Sequence, residues 1–450
     1  MRRQHLAFAA MWVVAIAVML FLYVREEHRH ASGHTRPTEE APIVDVEDEH
    51  PAPSALEPTA PQAPIPSTPP MQYRGDRRHT GQSPYAGPAR AGIFWQLETH
   101  HPVVSQAAVD AEGNAFIGSR DHVFYSISRT GGVRWRRDLG SDIYASALLD
   151  GQGHVYIGSD ADFFFALDAA TGDVLWDLRT EYDVDTGITL GPDGTIYFGS
   201  GTDLWAVSAE GRALWRFRAR VKIFSAPAVA DDGTIYFGAQ DDWFYALSPD
   251  GHLRWRVRSD RPDDNDSSAI VDDDGTIFFG SDDRRVYHLD RNGHELWRAE
   301  VGGYVRAPMA LGRRRDLIVP VFGPHARVIS LDRATGEERW SFAAAPSQAT
   351  DSGVGSGPVV DRDGFIYFGA DDDFVYAVDP DGRLRWVHQT GANVDGDPTI
   401  TPDGALIIGG DDGHVYAIRA DAIGGATDDA GEDAAALDAG ADAGEPTTID

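Results

Sequence analysis

Eight tryptophans constrain this chain more than any other feature. Trp95, Trp135, Trp176, Trp215, Trp255, Trp297, Trp340 and Trp386 follow one another at separations of 39 to 46 residues. A period of that length marks a repeat architecture, in which each unit buries its apolar faces against its neighbours. The unit ending near Trp255 reads as four short strands. They are Ser225–Ala230 (SAPAVA), Thr234–Ala239 (TIYFGA, with side chains alternating), Trp243–Leu247 (WFYAL) and Leu253–Val257 (LRWRV). Asp232-Gly233 and Pro249-Asp250-Gly251 supply the positive φ angles of tight turns, and Asp241-Asp242 forms a polar turn between the second and third strands. Aromatic and β-branched residues fill the strands, and no helical period of comparable strength follows residue 30.

Four-stranded units at this spacing predict an all-β propeller of eight blades over about Tyr73 to Ala420. Closure follows from the ends. Gly92–Thr99 (GIFWQLET) is an outer-strand sequence with no complete unit before it. The last unit has Asp397–Ile400, Ala405–Gly409 and Val415–Arg419, with no tryptophan strand behind it. The N-terminal strand is therefore expected to complete the last blade and remove the open edge at the seam.

The flanks have other compositions. Within residues 1–30, Leu6–Val24 carries no charge over nineteen residues, enough to span about 28 Å as a helix, with Arg2 and Arg3 before it. This predicts a transmembrane signal anchor with a cytoplasmic N-terminus, the propeller lying on the outer side of the inner membrane. Secretion after signal cleavage is the alternative. Residues 31–72 form a Pro-rich spacer, with ten prolines in 31–70, and residues 421–450 an acidic tail with seven Asp, two Glu and no Lys or Arg. The net charge of −32 argues against nucleic acid as a partner, and the absence of cysteine removes disulfides and thiolate chemistry.

Phe165–Trp176 (FALDAATGDVLW) and Ser330–Trp340 (SLDRATGEERW) resemble the docking motif of the pyrroloquinoline-quinone-type propeller repeat found in quinoprotein alcohol dehydrogenases. Other blades carry a version one residue shorter, such as Ala377–Trp386 (AVDPDGRLRW), and Arg74–Pro88 resembles the lead-in to such propellers. The resemblance implies that the eight tryptophans dock neighbouring blades. The same motif occurs in propellers that bind no quinone, such as the lipoprotein of the outer-membrane barrel assembly machinery, so fold likeness does not carry function. The enzymes of this resemblance also use a calcium held by Glu, Asn and Asp, an Asp base and often adjacent cysteines. Here no cysteine is present and no such set stands in matching loops. No catalytic, cofactor-binding or metal residue is expected, and Asp282-Asp283, Asp371–Asp373 and Asp411-Asp412 read as turn formers rather than calcium ligands.

A ligand site, if present, is expected at the channel mouth, where the blades converge. Aligning the units places Tyr144, Asp185, Phe224, Asp266, Arg306, Asp395 and Asp397 there, none of which follows from packing small residues around an axis. The fifth blade departs from the repeat at Asp260–Ser268, and the sixth at Val319–Val328 and Arg313-Arg314-Arg315. The combined expectation is a non-catalytic, membrane-anchored platform that binds proteins of the cell envelope. A quinone- or calcium-dependent dehydrogenase and a ligand-sensing ectodomain are the alternatives.

Overall fold

In the computed structural model the described residues are 43–44, 71–261, 263–323, 326–344 and 353–419. They form eight antiparallel sheets of four strands each, seven from one continuous stretch of chain and the eighth from both ends, with Ile43–Val44 added in parallel to the third sheet at Arg216 and Phe217. Ile43–Val44 lies within the stretch read as a spacer. The expected anchor Leu6–Val24 and the acidic tail lie outside the described residues; among the described residues no helix is long and apolar enough to cross a membrane.

The blade of Trp255 illustrates the rest. Its strands are Ala228–Val229, Ile235–Gly238, Trp243–Leu247 and Leu253–Arg258. The innermost strand pairs over two residues, shorter than the sequence pattern suggests, because the chain before it is spent approaching the crowded axis. The second strand does not alternate between buried and exposed faces: all of Ile235–Gly238 is buried. Each blade is covered on both faces by its neighbours, so middle strands behave like strands of a doubly covered sheet. Alternation survives in outer strands such as Val133–Asp138, which face solvent.

Each tryptophan of the repeat donates its indole Nε1–H to a backbone carbonyl outside its own blade. Trp135 reaches Ala169 at 3.1 Å, Trp176 Ala209 at 2.9 Å, Trp215 Pro249 at 2.9 Å and Trp255 Arg291 at 3.0 Å. Trp95, Trp297 and Trp340 do the same to Arg129, Arg333 and Pro380. The seventh blade has no such turn ahead of it, because the eighth blade's outer strand Ile93–Glu98 comes from the other end of the chain and pairs with His414–Ile418. Trp386 donates instead to Pro88, at 2.8 Å, in the segment leading into that strand. The closing strand thus brings its own docking carbonyl.

The lead-in does more than precede the first blade. Met71 exchanges backbone hydrogen bonds with Leu149 of blade two, and Gln72 Oε1 accepts from Leu190 of blade three. The carbonyls of Arg77, Arg78, Thr80 and Gly81 then accept in turn from Val229, Val271, Leu311 and Val360, the innermost strands of blades four to seven. Those strands would otherwise present unpaired N–H groups to the axis, where each unmet donor is costly. One end of the channel is thereby closed by the chain's own backbone.

Candidate binding site at the channel mouth

At the centre of this closure sit Tyr73 and Arg74. Arg74 has a left-handed φ of 59° and a fully buried side chain. Its guanidinium donates to the carbonyls of Gly357 at 2.8 Å, Met309 at 3.0 Å and Pro358, and lies 3.6 Å from Asp397. Asp397 also accepts from the Gly357 N–H at 2.5 Å. Burial pushes the Asp397 carboxyl up, against the opposing pull of Arg74 and that N–H. Burial, reinforced by Asp397, pushes the Tyr73 phenol well up. Asp397 therefore lies at the floor of the channel rather than at its mouth, occupied by the residues that close it.

Above this floor is an open cup of about 270 Å³. Tyr144, Asp185, Phe224, Asp266, Arg306, Asp395 and Asp397 all line it, with Tyr73 beneath. These seven residues come from six blades, Asp395 and Asp397 both from the eighth, and each stands at or near the start of an innermost strand. Deeper in the wall, Ser146 Oγ accepts from Gln106 N–H and Ser268 Oγ from Ala226 N–H, both at 2.9 Å, tying adjacent inner segments together.

Arg306 is held in place. Its Nε donates to Asp282 at 2.8 Å, and its guanidinium lies 4.7 Å from the Tyr304 ring centroid and 5.1 Å from that of Phe322. Phe322 belongs to the irregular segment of the sixth blade, so that departure from the repeat furnishes one wall of the arginine's pocket. Arg120 stands over Tyr144 at 5.1 Å and Lys222 over Phe224 at 5.6 Å.

A second acidic tier, missed by the alignment of strand starts, lies in the turns between second and third strands. In these turns one Asp accepts from the tyrosine hydroxyl of the following strand: Asp121 from Tyr125, Asp241 from Tyr245 and Asp412 from Tyr416. That Asp forms the turn, as its recurrence suggests. The residue before it faces the mouth, and this is where Asp160, Asp282, Asp371 and Asp411 stand. One carboxylate oxygen of each, and one of Asp185 and Asp266, is buried with no hydrogen-bond donor. Asp160 meets Asp185, and Asp371 meets Asp395, carboxyl to carboxyl. In the sequence this tier is carried by the residue just before the turn Asp that recurs from blade to blade. Among the described residues no group of three or more His, Asp or Glu is placed to hold a metal ion.

Burial first, and then the neighbouring carboxylates, pushes Asp160 and Asp395 up. Burial raises Asp266 and Asp411 from 3.8 to about 6. The sign of the consequence follows from linkage. Between pH 4 and 6 the folded state holds a proton on Asp266 that the unfolded state has released, so stability falls as pH rises through that window. His79 acts oppositely. Fully buried and bonded to Thr189 Oγ1 at 2.9 Å, it is lowered from 6.5 to about 3 by burial and then by Arg74, so it removes stability as pH falls below 6.5. Asp266→Asn is expected to match the parent in melting temperature at pH 4 and to exceed it by about 2–4 °C at pH 7. Equal midpoints across the whole range would show that Asp266 carries no such penalty.

The chain matches, over residues 88–183, 165–318 and 324–424, a family of pyrroloquinoline-quinone-type propellers. It belongs to the family described as outer membrane protein assembly factor BamB. BamB from Moraxella catarrhalis shares the fold at 17% identity and a TM-score of 0.60, covering 73% of this chain and 99% of that one. The quinohemoprotein alcohol dehydrogenase of Comamonas testosteroni aligns at 15% identity and a TM-score of 0.66, covering 80% and 81%. A europium-containing methanol dehydrogenase aligns at 14% identity and a TM-score of 0.65, covering 76% and 90%. Comparison with curated protein sequences gives no match. At these identities the structural likenesses establish the propeller and not its activity.

Proposed function

We propose that the protein is a non-catalytic binding platform, anchored by Leu6–Val24 and displayed outside the cytoplasmic membrane, that engages an envelope protein through the channel-mouth face. The observation that carries this reading is the composition of that face. Tyr182, Val221 and Phe224 are exposed large apolar residues at 46%, 41% and 39%. They are neighbours: Tyr182 packs against Gly201, whose carbonyl accepts from Ile223 N–H at 2.8 Å, within the loop that carries Val221 and Phe224. An apolar patch bordered by an acidic cup is the make-up of a protein-binding surface, with aromatic anchors and a polar rim. The family description points in the same direction.

The dehydrogenase reading is weakened by the donor set. Pyrroloquinoline quinone carries three carboxylates, and the cup would set Asp185, Asp266 and Asp395 against them with Arg306 already paired to Asp282. The residues present do not fit that group.

A photo-crosslinking residue placed at Tyr182 or Phe224 of the full chain in cells is the direct test. A discrete adduct with one envelope protein, lost when Val221 and the other aromatic are both changed to serine, is the expected result. Dye-linked alcohol oxidation by the purified protein after addition of pyrroloquinoline quinone and calcium would overturn the non-catalytic reading.

A further inference from the structure

The sixth blade breaks the repeat on the opposite face as well. The turn between first and second strands carries a left-handed residue, and glycine fills that position in the other seven blades, from Gly113 to Gly404. In the sixth blade it is Arg315, at φ 59°. An arginine held in this conformation costs about 1 kcal/mol or more relative to glycine, and such outliers cluster at functional sites. Its guanidinium has no hydrogen bond or ion pair among the described residues.

The adjacent fifth blade breaks the repeat at a position that faces the same space. In its third strand, His288 pairs between Phe278 and Trp297. The corresponding residues elsewhere are Ala or Ser, as in Ala246 opposite Trp255 and Ser330 opposite Trp340. His288 is 7% exposed and stacks on Phe278 at 4.2 Å, yet neither ring nitrogen has a hydrogen-bond partner. A buried imidazole left without partners is costly unless something meets it. Burial keeps it neutral, so it offers one donor and one acceptor.

Both residues line one cleft of about 670 Å³ between blades five and six. That volume suits a small organic ligand. Its other arginines are paired: Arg333 chelates Asp272 at 2.8 Å through both oxygens, Arg339 meets Asp332 at 2.6 Å, and Arg314 meets Asp381. Asp273 is taken by Arg78 at 2.6 Å, whereas Asp274 accepts from the neutral Thr276 hydroxyl at 2.7 Å and keeps its charge. Among the described residues Arg315 is the cation of this cleft without a counter-charge, and His288 is its unmet buried side chain.

We propose that this cleft binds a small organic anion, its carboxylate or phosphate held by Arg315 at the opening and a polar atom at its other end paired with His288. Recognition at this site is independent of the channel mouth. Two probes separate the anion types: 4-hydroxybenzoate and 4-hydroxyphenyl phosphate share a ring and a hydroxyl and differ in the anionic group. Calorimetric titration of the full chain at low salt is expected to show saturable binding of one or both, the stronger one identifying the anion. Arg315→Gly restores the residue of the other blades, so it is expected to raise the melting temperature by about 2 °C while weakening binding roughly ten-fold or more. His288→Ala likewise restores the repeat and is expected to weaken binding several-fold. The proposal is overturned if neither probe saturates below about 10 mM, or if either variant binds as the parent does.

Discussion

Arg74→Ala is expected to destabilise the propeller by about 3–5 kcal/mol, because it leaves a buried carboxylate without its counter-charge. The substitution strands Asp397 at the channel floor and removes the donor to the carbonyls of Gly357, Pro358 and Met309. It also frees the centre of the lead-in that caps blades two to seven. Arg74→Lys is expected to recover little, since a single ammonium cannot reproduce the planar fork that meets several carbonyls at once. Urea unfolding followed by tryptophan fluorescence checks both variants. A loss under about 1 kcal/mol for Arg74→Ala would mean that the floor is held by backbone pairing alone. The double variant Arg74→Ala, Asp397→Asn is expected to be less destabilised than Arg74→Ala, because the uncompensated charge goes with its partner.

The second large effect is expected at blade docking. Gly211 sits at φ 81°, and a Cβ there would stand 2.7 Å from the ring of Trp176 in the preceding blade. Valine at this position must adopt a left-handed backbone and displace an indole that is itself hydrogen-bonded to Ala209. The two costs together are expected to reach about 3–5 kcal/mol. Gly194→Val is the control. Gly194 has a similar φ of 85° but nothing within 4 Å of its would-be Cβ, so it reports the backbone cost alone, about 1–2 kcal/mol. Thermal denaturation of the two variants isolates the contribution of the wedge. Equal losses would show that the indole moves aside at no expense and that docking is looser than the contact distance implies.

These effects bear on how the site is built. The mouth carries buried carboxylates that cost stability, and the floor and the wedges offset that cost by holding the inner segments rigidly around the axis. Tyr144, Asp185, Phe224, Asp266, Arg306 and Asp395 were legible as mouth residues because a propeller forces equivalent positions of each unit onto one ring. Asp397 shares the strand-start alignment but lies one step further in, where Arg74 takes it. That difference depends on where the lead-in runs, and no repeat pattern encodes it.

What the sequence determined by itself was the periodic part. Spacing of the tryptophans, Asp-Gly turns and the missing outer strand of the last unit were enough for eight blades closed by the N-terminal strand, because each rests on contacts that recur every 40 or so residues. Tertiary structure alone decided what depends on neighbours in space. It showed the middle strands buried on both faces, since the covering surface belongs to other blades. It placed Met71–Ser83 across the axis through backbone carbonyls, which carry no side-chain signature. It also separated the two acidic positions of each turn, one bonded to a tyrosine and the other facing the channel. Finally, it brought His288 and Arg315, 27 residues apart in the chain, to the same cleft. Repetition is a local pattern that the chain can announce, whereas the contents of a channel or a cleft depend on which departures from the pattern end up side by side.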